Sequence, residues 1–350
     1  MNSLNISSNE KFEQTENCFE NIKSYFILKK IFDFMKKNKL LEMMKYNKNL
    51  RKRFNLGFND YKDFSHLYTP IEIELKPVKN KYGEFIKVND KEKDYYNIYF
   101  NNSNEKINRN YLNQNETVQI IKIIIDYQVK SFRNLFYECK NISSIFFKKF
   151  YRININDMSH MFSGCSSLKE LNLSHFNTDN AKKMNYMFSG CSSLKELNLS
   201  NFNTNNLIEM NGMFSGCSLL KELNLSHFNT NHIKEMSFIF SGCLLLRELN
   251  LSHFNTNNVI DMSYMFFDCS SLYKLNLFNF NTNNVTNMRC MLYNCASLKE
   301  LNISNFNTNN VTDMSYMFFK CFSLKELNIS NFNINNVKDI FWMFAGCSYE

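Results

Sequence analysis

The stretch MSHMFSGCSSLKELNLSHFNT, Met158–Thr178, returns almost unchanged every 26 residues along the rest of the sequence. Its copies open at Met184, Met210, Met236, Met262, Met288 and Met314. Two periods run through it. Met158, Met161, Phe162 and Cys165 recur at three to four positions, the spacing of one helical face. Leu171 and Leu173 then alternate with polar neighbours, as residues on the two sides of a strand do. Each copy is therefore expected to hold a short helix, a strand and a closing aromatic, here Phe176. In the copy from Val259 to Asn284, Asn257 or Asn258 stands near the helix N-cap. The glycine before the cysteine in several copies (Gly164, Gly190, Gly216, Gly242, Gly346) suits a left-handed helix ending.

One copy has too few apolar residues to offset its own ordering, so copies must stack. Stacking turns each position into a column. Leu171, Leu197, Leu223, Leu249, Leu275, Leu301 and Leu327 form one inside, and Phe176 through Phe332 another. The polar residues that alternate with the leucines face outward. They include Glu196, Asn198 and Ser200; Glu222, Asn224 and Ser226; Glu248, Asn250 and Ser252; Glu300, Asn302 and Ser304. The pattern breaks in one copy, where Lys274 replaces Glu and Phe278 replaces Ser around Asn276. That interruption marks the sharpest candidate for partner binding.

The L-x-x-L-x-L string, Leu168, Leu171 and Leu173 in the first copy, is the leucine-rich-repeat signature. The fold class is thus α/β: a leucine-rich-repeat solenoid of 26-residue rungs, with parallel strands on one face and short helices on the other. Val118–Ile125 reads as a strand, and Val129, Phe132, Leu135, Phe136 and Cys139 already fall on the period, so the solenoid is expected over residues 118–350.

A smaller module precedes it. Residues 1–20 form a polar tail without the cationic start and apolar run of a signal peptide. Residues 21–55 are a basic helical segment with eleven Lys and Arg against Asp33 and Glu42, a net +9 that exceeds the whole chain's +8. Ile27, Leu28, Ile31, Phe32 and Met35 share a helical face, predicting a helix from about Ser24 to Lys37. Leu40, Leu41, Met44 and Leu50 suggest two shorter helices after it. Residues 56–117 read as a β-rich capping module: Ile71–Leu75 alternates strictly, Gly83 sits in a turn, and Tyr95–Phe100 is β-prone, together a small antiparallel sheet.

The full repeat, M-x-x-M-F-x-x-C-x-x-L-x-x-L-N-[LI]-S-x-F-N-T-x-N, resembles the BspA-type leucine-rich repeat family. The resemblance implies a right-handed, non-enzymatic solenoid that binds proteins or extracellular matrix, as a cell-surface adhesin does. The segment ILKKIFDFMKKNKLLEMMKYNKNLRKRF is similar to an F-box. That resemblance implies a substrate adaptor of a ubiquitin ligase, docked on a Skp1-like protein through Ile27, Leu28, Ile31, Phe32, Leu40 and Leu41.

Composition narrows the function classes. No run of about 18 apolar residues is present, so no transmembrane segment is expected. Eleven cysteines without a signal peptide argue for free thiols and a cytoplasmic location. Nine of them, from Cys139 to Cys347, lie on the repeat period as core positions would. Cys290 falls off that column, open to exposure and without an evident partner. His175, His227 and His253 share one position that is Asn elsewhere, and read as solvated polar residues rather than metal ligands. The glutamate column lies beside Lys169, Lys195, Lys221, Arg247, Lys299 and Lys325, a salt-bridged open face rather than a site for acid–base chemistry. The basic helices fit a solvated face or an acidic protein partner and carry no nucleic-acid motif. With no phosphate-loop, dinucleotide, zinc-hydrolase or nucleophile-elbow string, no catalytic residue, metal or cofactor is expected, and the function reads as a protein–protein interaction scaffold.

Overall fold

The computed structural model describes residues 22–34, 49, 52, 66 and 68–348, in two compact units, residues 1–69 and 70–350. The first unit contains helix α1, Tyr25–Phe34. Ser24 opens it as expected of a cap: its hydroxyl oxygen accepts from the N–H of Ile27 at 3.4 Å, and its carbonyl from Leu28 at 3.1 Å. Leu28 is buried and Ile31 half-buried, whereas Phe26 and Ile27 are exposed. The remainder of the expected helix beyond Phe34, and the two shorter helices with Leu40 and Leu41, lie outside the described residues.

The second unit begins with β1, Ile71–Pro77, whose Ile71, Ile73 and Leu75 are buried while Glu72 and Glu74 are half-buried, the alternation its sequence dictates. It lies between two antiparallel partners, β5 (Ile121–Ile125) and β6 (Ile142–Lys149), with Ile73 opposite Ile123 and Leu75 opposite Ile145. β3 (Tyr96–Phe100) pairs with the far side of β5, and β7 (Glu170–Asn172) joins β6 in parallel. The sheet order is β3-β5-β1-β6-β7. β6 is the pivot, because it receives the antiparallel strands on one edge and the first repeat strand on the other. β2 (Gly83–Glu84) and β4 (Tyr111–Leu112) form a short ladder of their own.

From residue 130 onward the copies stack, but the segment expected to be helical is not a helix. Met158-to-Cys165 and its equivalents are successive turns, with Met161, Ser163 and Cys165 donating to the carbonyls three residues back. The alternate N–H groups point elsewhere. Met158, His160, Phe162 and Gly164 donate to Lys183, Asn185, Met187 and Ser189 of the following copy, at 2.7–2.9 Å. Two physical facts exclude the helix: its i−4 acceptors are replaced by carbonyls of the next copy, and His160 (φ 57°) and Gly164 (φ 75°) sit in the left-handed region. The left-handed glycines are therefore present as expected, inside turns rather than at helix ends.

The strand side is also thinner than a continuous ladder. Among the described residues the repeats contribute β7, then β8 (Lys274–Asn276) paired in parallel with β9 (Glu300–Asn302), and a single bridge between Glu248 and Lys274. Much of the registration comes from a second ladder on the turn side, where Asp157, Lys183 and Glu209 bridge in succession, as do Glu235, Asp261, Asn287, Asp313 and Asp339.

The core is one continuous apolar column from Ile71 to Met343. Phe136, Phe162, Phe188, Phe214, Phe240 and Phe266 stack almost face to face, with centroids 5.6–5.9 Å apart. Cys139 through Cys321 are free and buried. From Cys165 on, each column thiol donates to the carbonyl of the residue 29 positions earlier, as Cys243 does to Phe214 at 3.2 Å. Cys290, off the column and expected to be open to exposure, is only 4% exposed, and its thiol is within hydrogen-bond reach of Tyr264.

Candidate interaction surfaces

The outward strand positions follow the sequence reading. Glu196, Asn198, Ser200, Glu222, Asn224, Glu248, Asn250, Lys274, Asn276, Phe278, Glu300 and Asn302 are all exposed, while the leucines between them are buried or half-buried. The asparagines are not idle on that face. The side-chain oxygens of Asn198, Asn224, Asn250, Asn276 and Asn302 accept the N–H two residues on, turning the chain off the strand. Their repetition is thus a backbone requirement.

The break in the pattern is wider than Lys274 and Phe278. Tyr273 occupies the lysine column, 44% exposed, with Phe278 at 47% on the same strand side. Lys299 lies over the Tyr273 ring at 5.2 Å, and Lys274 pairs with Glu300 at 2.6 Å. The hydrogen bond that the Lys274 ammonium donates to the Glu300 carboxylate holds it above the usual lysine range. Glu248, Leu249, Asn250, Ser252, Lys274 and Asn276 line a shallow hollow of about 280 Å³ beside it. This one copy combines two exposed aromatic rings and a reversed charge on a face that is otherwise polar and periodic. Tyr273 went unnoticed in the sequence, although its departure from the lysine column was the signal.

The histidines do not converge on a ligand. His227 bonds the Leu199 carbonyl at 2.9 Å, and the asparagines at the same position, such as Asn279 and Asn305, donate to the preceding copy in the same way. Among the described residues no group of three or more His, Cys, Asp and Glu is placed to hold a metal. Burial pushes the Cys165, Cys217 and Cys269 thiols up to about 12, far from a reactive thiolate. Among the described residues no helix is long and apolar enough to cross a membrane. The candidates on the basic segment divide: Ile27 is exposed, Leu28 buried, Ile31 half-buried, Phe32 lies within α1, and Leu40 and Leu41 lie outside the described residues.

A family model described as "Mycoplasma protein of unknown function, DUF285" matches residues 130–244, 219–302 and 273–349. No curated protein matches the chain. Among solved structures, a leucine-rich repeat protein from Eubacterium ventriosum ATCC 27560 is similar at 15% identity and a TM-score of 0.37, over 56% of this chain and 57% of that one. A leucine-rich repeat protein from Bacteroides ovatus ATCC 8483 is similar at 17% identity and a TM-score of 0.25, over 65% of this chain and 79% of that one. The match thus spans little more than half of the Eubacterium chain.

Proposed function

We propose that this chain, which belongs to the family described as "Mycoplasma protein of unknown function, DUF285", is a non-enzymatic scaffold that binds a protein partner on the strand side of a solenoid of 26-residue rungs. The observation that carries this reading is the cluster of Tyr273, Lys274 and Phe278, two exposed rings and a reversed charge on a face that is Arg247, Glu248 and Ser252 in the copy before and Lys299, Glu300 and Ser304 in the copy after. Exposed aromatics are the side chains most able to anchor a protein interface. A fold that needed only to stack would have kept a basic residue, Glu and Ser here, as its neighbours do.

The test is the triple change Tyr273→Lys, Lys274→Glu and Phe278→Ser, which installs the neighbouring copies' residues. Affinity purification of the intact chain should recover a protein that the variant loses while its thermal stability is kept. Equal recovery by both would remove the strand side from the interaction.

The adaptor reading of the basic segment has one observation in its favour, the exposed Phe26 and Ile27 on α1. Capture of a Skp1-like protein dependent on those two side chains would support it, and capture indifferent to them would end it.

A further inference from the structure

Three consecutive copies carry the turn-side strings DMSYMFFDC (261–269), NMRCMLYNC (287–295) and DMSYMFFKC (313–321). The first and third are identical except that Asp268 in one is Lys320 in the other. The four preceding copies place Ser-Gly at the two positions before the cysteine, and these three place Phe267-Asp268, Tyr293-Asn294 and Phe319-Lys320. Phe267 and Tyr293 stack with centroids 4.6 Å apart, and Tyr293 and Phe319 at 4.8 Å. Tyr264 and Tyr316 flank this stack, each 5.6 Å from the phenylalanine of its own copy. All five rings are half-buried, a band of aromatic surface in which Phe267, Tyr293 and Phe319 stand where the four preceding copies have serine.

Beside the band Asp268, the neutral Asn294 and Lys320 run in order, while Arg289 of the middle copy donates to the Tyr264 hydroxyl at 3.0 Å and is paired with Asp313 at 3.7 Å. Asp268, Asn294 and Lys320 all have φ between 54° and 59°, in the left-handed region where Gly164, Gly190, Gly216 and Gly242 stand in the four preceding copies and Glu138 in the copy before those. A residue with a Cβ is strained there, lysine more than aspartate or asparagine. Strained side chains that displace a glycine call for a use outside the turn itself.

We propose that this band is a docking surface for a second copy of the same chain, set antiparallel about a two-fold axis through Tyr293 and Asn294. Such an interface is isologous, so each group meets the one equally far from the axis on the opposite side. Successive copies lie about 5 Å apart, which puts Asp268 and Lys320 at equal distances from the axis. Asp268 then faces Lys320 of the second copy, and Lys320 faces its Asp268. Tyr293 meets Tyr293. The Asn294 amide uses one N–H on Asp268 at 2.5 Å, and keeps its other N–H and its carbonyl oxygen for a reciprocal pair with Asn294 of the second copy. A parallel arrangement would set Asp268 against Asp268 and Lys320 against Lys320, so the charges select the antiparallel one. The surface is separate from the strand-side cluster and does not depend on it.

Sedimentation equilibrium of the intact chain across the micromolar range tests this. The wild type should dimerise, and added salt should weaken the dimer. Asp268→Lys or Lys320→Asp alone should weaken it about tenfold or more. The double change should restore it, and mixing the two single variants should give heterodimers. Phe267→Ser, Tyr293→Ser and Phe319→Ser together, which install the serine of the earlier copies, should give a monomer with unchanged circular dichroism. A wild type that stays monomeric overturns the proposal, as does a dimer indifferent to the single reversals or not restored by the double one.

Discussion

The thiol of Cys217 donates to the carbonyl oxygen of Phe188 at 3.2 Å, inside a column of buried sulfurs. Burial raises this thiol from its ordinary 9.0 to about 12, and Cys165 and Cys269 likewise. Below about pH 9 the folded and unfolded chains both hold the proton and the stabilisation is complete. Above it only the unfolded chain releases the proton, so stability falls progressively up to about pH 12. Thermal unfolding followed from pH 7 to 11 should show Tm steady to about pH 8.5 and declining beyond, because several thiols act together. A Tm unchanged to pH 11 would contradict the buried column.

Gly216 has φ 71°, and a Cβ added there would meet the Gly190 backbone at 3.3 Å. Gly216→Ala combines a left-handed penalty with a contact that cannot move aside. Denaturant unfolding should show a loss of about 1–2 kcal/mol. Gly83→Ala, which meets nothing within 4 Å, should carry the conformational penalty alone.

Thr230, 2% exposed, donates to the Asn255 carbonyl at 2.9 Å and accepts the Asn255 N–H at 2.8 Å. Thr230→Val keeps the shape and removes both bonds, leaving a donor and an acceptor of Asn255 without their partner. The expected cost is about 2–3 kcal/mol by denaturant unfolding, with amide exchange at Asn255 accelerated more than at Asn203.

The triple change at Tyr273, Lys274 and Phe278 should leave stability within about 0.5 kcal/mol. Lys274 and Glu300 form an exposed pair, which contributes little to folding. A large loss on chemical unfolding would mean that the cluster serves the fold, and would weaken its assignment to a partner.

Most of the column logic is legible in the sequence, although Leu171, Leu197, Leu301 and Leu327 are only half-buried. Leu275, Phe280 and Cys269 are buried where the period puts them, and Glu248 and Asn250 are exposed. The helix at Met158–Cys165 was misread because apolar spacings of three and four fit consecutive turns as well as a helix. The distinguishing fact is a hydrogen-bond acceptor in the next copy, such as Lys183 for Met158, and no local period reports it. Tyr273 and the ring stack of Phe267, Tyr293 and Phe319 were visible as departures from the repeat. Their meaning came from neighbours that only stacking supplies.

On the turn side, alternate N–H groups of one copy reach forward to the next, as from Met158, His160, Phe162 and Gly164 and again from Met184, Tyr186, Phe188 and Gly190. Each copy therefore presents the same set of donors that it received. A whole copy can be inserted or excised and the seam closes with the bonds it had before, whereas a change of any other length misaligns every column beyond it. The architecture tolerates growth only in complete units, and a new surface needs a change in only one copy among many.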